Sequence, residues 1–114
     1  MIFQRSIKKK VSAVGVGLHS GQKVRIELKP AKEDSGIIFK RIDIKIPKEV
    51  KVEPKAVKET RLSSTIGTGK SKISTVEHLM SALSASGIDN ILIEVDGPEI
   101  PIMDGSSISF VYLI

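Results

Sequence analysis

The chain has 114 residues, 40% of them hydrophobic, and 18 Lys and Arg stand against 13 Asp and Glu for a formal net charge of +5. That length allows one domain with its own hydrophobic core, while the lack of cysteine excludes a disulfide framework or thiolate metal site and leaves His, Asp and Glu as metal ligands. The positive charge does not amount to a nucleic-acid signature, because the lysines are interleaved with Glu and Asp and aromatics make up only 4% of residues, too few for a stacking platform. Residues 1–10 lack the apolar region of a secretory signal, and no apolar run approaches a membrane span, so a cytoplasmic address is expected.

Residues 8–14 read as a first strand, followed by a glycine-rich connection, Gly15-Val16-Gly17-Leu18-His19-Ser20-Gly21. A dinucleotide loop would need glycine at Ser20 and a helix afterwards. Instead Val24, Ile26 and Leu28 alternate with Lys23, Arg25, Glu27 and Lys29, the period of a half-buried strand, so residues 15–21 form a hairpin connection. His19 at its tip reads equally well as a solvated turn residue. Residues 30–36 are a polar turn and 37–42 a further strand. Residues 43–57 alternate weakly and are interrupted by Pro47 and Pro54, which restrict them to short or edge strands; the expectation is that they form a small β insert lying outside the main sheet. Gly67-Thr68-Gly69-Lys70-Ser71 resembles a phosphate loop but lacks the first anchoring glycine, which would fall at Ser64.

The best helix runs from about residue 75 to 86 and is stopped by Gly87. Val76, Leu79, Met80 and Leu83 fall on one stripe and turn His78 away from it. Two roles compete for Glu77. Ser74-x-x-Glu77 is a capping box, in which the carboxylate satisfies a free N–H of the first turn; alternatively Glu77 and His78 form a functional pair. Residues 91–95 are nearly continuous in apolar character, which predicts a central, buried strand. The segment 97–106 is a rigid loop with Pro98 and Pro101, and a second helix is expected from about Ser107 through Phe110 to Ile114. An apolar run without a C-cap at the last residues suggests a piece of a longer protein.

Four stretches together resemble one family: Gly15-Val16-Gly17-Leu18-His19-Ser20-Gly21, Ser74-Thr75-Val76-Glu77-His78-Leu79, Gly87-Ile88-Asp89-Asn90-Ile91 and Glu99-Ile100-Pro101-Ile102-Met103-Asp104-Gly105-Ser106. In order and spacing they are similar to the N-terminal half of the UDP-3-O-acyl-N-acetylglucosamine deacetylases, zinc enzymes of lipid A biosynthesis. The resemblance implies an α+β fold, a two-layer sandwich of a mainly antiparallel β sheet packed on two helices, with a small β insert at about residues 43–69. It makes residues 1–114 the N-terminal domain of a two-domain enzyme whose active site lies between the domains. His78 would be a zinc ligand and Glu77 the general base acting on zinc-bound water. Leu18, Leu62 and Ser63 would bind substrate on the near side of the cleft, and His19 sits in a matching loop. The remaining ligands, a His and an Asp spaced H-x-x-x-D, would come from the missing C-terminal domain, so these 114 residues alone are expected to be inactive. A rival from another class is a non-enzymatic basic module that binds an acidic partner or nucleic acid.

Overall fold

The computed structural model describes residues 4–17, 21–52, 65–66, 73–74 and 76–101. Seven strands and a helix follow in the order β1 (Val11–Val16), β2 (Lys23–Pro30), β3 (Ile37–Arg41), β4 (Glu49–Val52), β5 (Thr65–Ile66), β6 (Ile73–Ser74), α1 (Glu77–Ala85) and β7 (Ile91–Val95). Five strands form one sheet in the order β1-β2-β7-β3-β4, and β5 and β6 form a separate antiparallel pair. Alternation dictates which face is buried. Val24, Ile26 and Leu28 of β2 are at most 1% exposed, as are Ile91, Ile93 and Val95 of β7, whereas Lys23 and Arg25 are exposed. With Phe39 of β3 and with Ile73, Val76, Leu79, Met80, Ala82 and Leu83 from β6 and α1, these side chains form a single hydrophobic cluster. Each large aliphatic side chain withdrawn from water contributes about 1.5–3 kcal/mol before conformational entropy is counted.

The sheet is mixed. β7 occupies the centre expected of it, antiparallel to β2 but parallel to β3, with Phe39 opposite Ile93. Parallel pairing needs a crossover, and the chain between β3 and β7 contains α1, which carries it over one face so that β7 enters in the direction of β3. The α+β architecture and the mainly antiparallel pairing are as expected, three of the four pairings being antiparallel; the parallel β3–β7 pair, which makes the sheet a mixed one, is the correction, and among the described residues a single helix accompanies it. The segment in which the second helix was expected lies outside the described residues. A second correction concerns Glu49–Val52, which does not lie outside the main sheet but forms its edge through antiparallel pairing with β3. Pro47 precedes this strand without interrupting its ladder, which is where an edge strand tolerates proline, and Pro54 lies outside the described residues.

Residues 4–10 are not part of β1. Three successive exposed lysines offer no alternating face, and the segment is instead a strap tied by backbone and short polar side chains. The Arg5 carbonyl accepts from the N–H groups of Asp89 (2.9 Å) and Asn90 (3.0 Å), the Arg5 N–H donates to Asp89 Oδ2 at 2.8 Å, and Ser6 Oγ accepts from Ala31 N at 3.1 Å. β1 continues past residue 14 to Val16, and the hairpin closes through Gly17 N to the Gln22 carbonyl at 2.9 Å.

Candidate active site

α1 follows β6 after two residues, so the core contacts of Ile73, Val76, Leu79, Met80 and Leu83 fix the position of its first turn. Its C-terminus is closed as the sequence predicts. Gly87 adopts φ +69°, its N–H donates to the Ser84 carbonyl at 3.1 Å, and the Ile88 N–H donates to the Leu83 carbonyl at 3.0 Å. This is a Schellman cap, for which a residue lacking Cβ is favoured at the left-handed position.

The N-terminus is different. A capping box would make Ser74 the N-cap and Glu77 the third helical residue. Val76 is the N-cap instead, Glu77 is the first residue of the helix, and no side chain caps it. The Glu77 side chain is thus not engaged in capping. Its Oε2 is buried and has no hydrogen-bond partner, although buried polar atoms are paired in the great majority of cases and an orphan marks strain, catalysis or an absent ion or water. The adjacent His78 is half-buried, while Leu79 and Met80 enter the core, so the imidazole stands off the apolar stripe as expected.

The two donor types present, an imidazole nitrogen and an unsatisfied carboxylate oxygen, are those zinc takes in hydrolytic sites. Among the described residues no group of three or more His, Cys, Asp and Glu is placed to hold a metal ion. Leu18, His19, Leu62 and Ser63 lie outside the described residues.

Sequence reasoning assigned no role to Asn90, which is 3% exposed. Its Oδ1 accepts from Gly36 N at 2.8 Å and its Nδ2 donates to Gln4 Oε1 at 2.7 Å, joining the strap to the turn before β3 and to the exit of α1. That Gln4 oxygen also accepts from the N–H of Asp34 at 2.7 Å, a residue held at φ +67°. The available signal was an Asn immediately before the most apolar strand.

Charges on the opposite face of the sheet are largely self-compensated. Lys29 lies between Glu94 and Glu27, and its hydrogen bond to Glu94 raises its pKa above the ordinary lysine value against the opposing effect of desolvation. Arg25 pairs with Glu27 at 3.2 Å. Arg41 grips Asp43 at 2.6 Å and, chiefly through that hydrogen bond, holds its carboxyl below the usual aspartate range. These pairings give no support to a basic binding module. No helix among the described residues is long and apolar enough to cross a membrane.

A family model described as UDP-3-O-acyl N-acetylglycosamine deacetylase matches residues 4–114. The chain is similar to the UDP-3-O-acyl-N-acetylglucosamine deacetylase of Chromobacterium violaceum, with 54% identity over 115 residues that cover 100% of this chain and 38% of that protein. It is similar to that of Thioalkalivibrio sulfidiphilus, with 51% identity over 114 residues, 100% of this chain and 38% of the relative. With that of Neisseria meningitidis serogroup C the identity is 53% over 116 residues, 99% of this chain and 38% of the relative. The chain thus spans about 38% of the length of these curated relatives.

Proposed function

The chain belongs to the UDP-3-O-acyl N-acetylglycosamine deacetylase family, and from that premise we propose that it is the N-terminal domain of a two-domain, zinc-dependent amide hydrolase. The substrate is UDP-3-O-acyl-N-acetylglucosamine, from which the N-acetyl group is removed in lipid A biosynthesis. The observation that carries the proposal is the buried, unpartnered Glu77 Oε2 at an uncapped helix start, next to His78. A carboxylate oxygen buried without a partner costs folding free energy, and a proton-accepting role gives that cost a function.

His78 holds the metal through a ring nitrogen, with its helix anchored in the core by Leu79, Met80 and Leu83. Zinc, when bound, supplies Lewis acidity at a position left open for water. Glu77 is the general base. Its Oε2 accepts a proton as the water oxygen bonds to the acetamide carbonyl carbon, after which the C–N bond breaks, acetate departs and the amine nitrogen gains a proton. Leu18, Leu62 and Ser63 line the near side of the substrate cleft and His19 stands close to it. The remaining metal ligands and the acid that protonates the amine belong to a second domain, so residues 1–114 alone do not turn over substrate. In the same proposal residues 43–69, apart from the edge strand Glu49–Val52, include a small β insert, a second helix from about Ser107 joins α1 on the sheet, and the nucleotide-sugar substrate implies a cytoplasmic address.

The test separates the two residues. In the full-length protein, Glu77→Gln is expected to lower kcat by about 10²–10⁴-fold while zinc content stays unchanged, and His78→Ala is expected to lower zinc content itself. Full zinc occupancy in His78→Ala, or undiminished turnover in Glu77→Gln, contradicts the assignment.

A further inference from the structure

We infer that the turn between β3 and β4, residues 42–48, is a tip that docks the protein on an anionic lipid surface. Ile46 is 80% exposed, the most exposed large hydrophobic side chain among the described residues, and Ile42 in the same turn is 45% exposed. A scattered exposed isoleucine needs no explanation; its surroundings set this one apart. Ile46 lies at the end of an antiparallel pair on the edge of the sheet, next to Pro47 and between the exposed Lys45 and Lys48.

The nearby acids do not cancel this charge. Asp43 is held by Arg41, Glu49 forms no ion pair among the described residues and leaves residues 40–49 with four cations against two carboxylates, and Lys45 and Lys48 are likewise outside any ion pair among the described residues. An apolar side chain at an exposed turn with unpaired lysines beside it matches the two requirements of a membrane interface, an inserted hydrophobe and cations level with anionic headgroups. The other basic run, Lys8 to Lys10, lacks the first of these. Its apolar neighbours Ile7, Val11 and Ile88 line a recess of about 380 Å³, and Ile7 is only 7% exposed, so nothing there projects. The inference does not depend on the catalytic proposal, because turnover is not its readout.

The experiment is co-sedimentation of the full-length protein with phosphatidylglycerol or phosphatidylcholine vesicles at low and physiological salt. Binding selective for phosphatidylglycerol and weakened by salt is expected. Lys45→Gln with Lys48→Gln should lower the partition coefficient by roughly 25-fold, about fivefold per lysine, and Ile46→Ser by roughly tenfold. The triple change of Lys8, Lys9 and Lys10 to Gln should cost less than the double change. Ile46→Trp should add emission that moves to shorter wavelength when vesicles are present. Lack of lipid selectivity, an Ile46→Ser protein that binds normally, or equal loss in the Lys8–Lys10 variant overturns the inference. So does Ile46→Trp emission that is already at short wavelength before lipid is added, since the rest of the protein would then cover the tip.

Discussion

Replacing Glu77 with alanine should make the protein more stable and catalytically inert at once. The stabilisation follows from the terms at the helix start. An orphaned buried polar atom costs about 1–3 kcal/mol, and Glu77 Oε2 is such an atom. Against that, a carboxylate in the first turn gains about 0.3–1 kcal/mol from the helix dipole, whereas alanine loses nothing as a helix former. No cap is sacrificed, because no side chain caps α1. The net expectation is a gain of about 0.5–2 kcal/mol, read as a higher urea midpoint with unchanged m value in chelator-treated full-length protein. Chelation matters because metal binding to the native state would add its own stabilisation. The same variant should show no measurable deacetylation. A loss of 1 kcal/mol or more together with retained turnover would refute the reasoning, since Glu77 would then be a structural residue whose partner lies elsewhere.

Two further outcomes test the frame around the site. Asn90→Ala strands the Gly36 N–H and removes the bond to Gln4, which should cost about 2–4 kcal/mol in urea denaturation and raise hydrogen exchange at Gly36 and at the Asp34 N–H beside it. Asp43, whose pKa is depressed in the native state by Arg41, contributes stability that is present above the unfolded value near pH ~4 and lost as pH falls through the lower native value. The stability difference between the parent and Asp43→Asn should therefore be flat from neutral pH down to about pH 4 and shrink below it. Its plateau should be no more than about 1 kcal/mol, the scale of a partly solvated ion pair.

The legible parts of the fold were those encoded by local period and by single residues with one physical use. The alternation of Val24, Ile26 and Leu28 required a half-buried strand, the apolar run Ile91 to Val95 required a central one, and Gly87 marked the end of α1. What could not be read was long-range or backbone-borne. The parallel register of Ile37 on Ile91 joins positions 54 residues apart, and no local pattern distinguishes parallel from antiparallel pairing for a strand buried at a sheet centre. The strap depends on the Arg5 carbonyl, and a backbone acceptor has no signature in the side-chain alphabet. Pro47 and Pro54 suggested exclusion from the sheet, yet an edge strand has a free side, and Glu49–Val52 uses only the other.

The same distinction decides what could be known of the site. Ser74 and Glu77 have capping-box spacing, and spacing alone cannot choose between a carboxylate turned back on its helix and one left free. The choice is made by where the helix begins, which depends on how Ile73 and Val76 enter the core. With both at most 1% exposed, Val76 is held as the N-cap at φ −89° and ψ −10°, and Glu77 becomes the first helical residue, too early to serve as the third residue of a capping box. The packing of Val76, the residue before Glu77, and of Ile73 thus converts an ordinary capping sequence into an uncapped helix start carrying an unsatisfied carboxylate and a histidine. The hydrophobic residues of this segment therefore do more than support the site, because they withhold Glu77 from the structural role its spacing would otherwise give it.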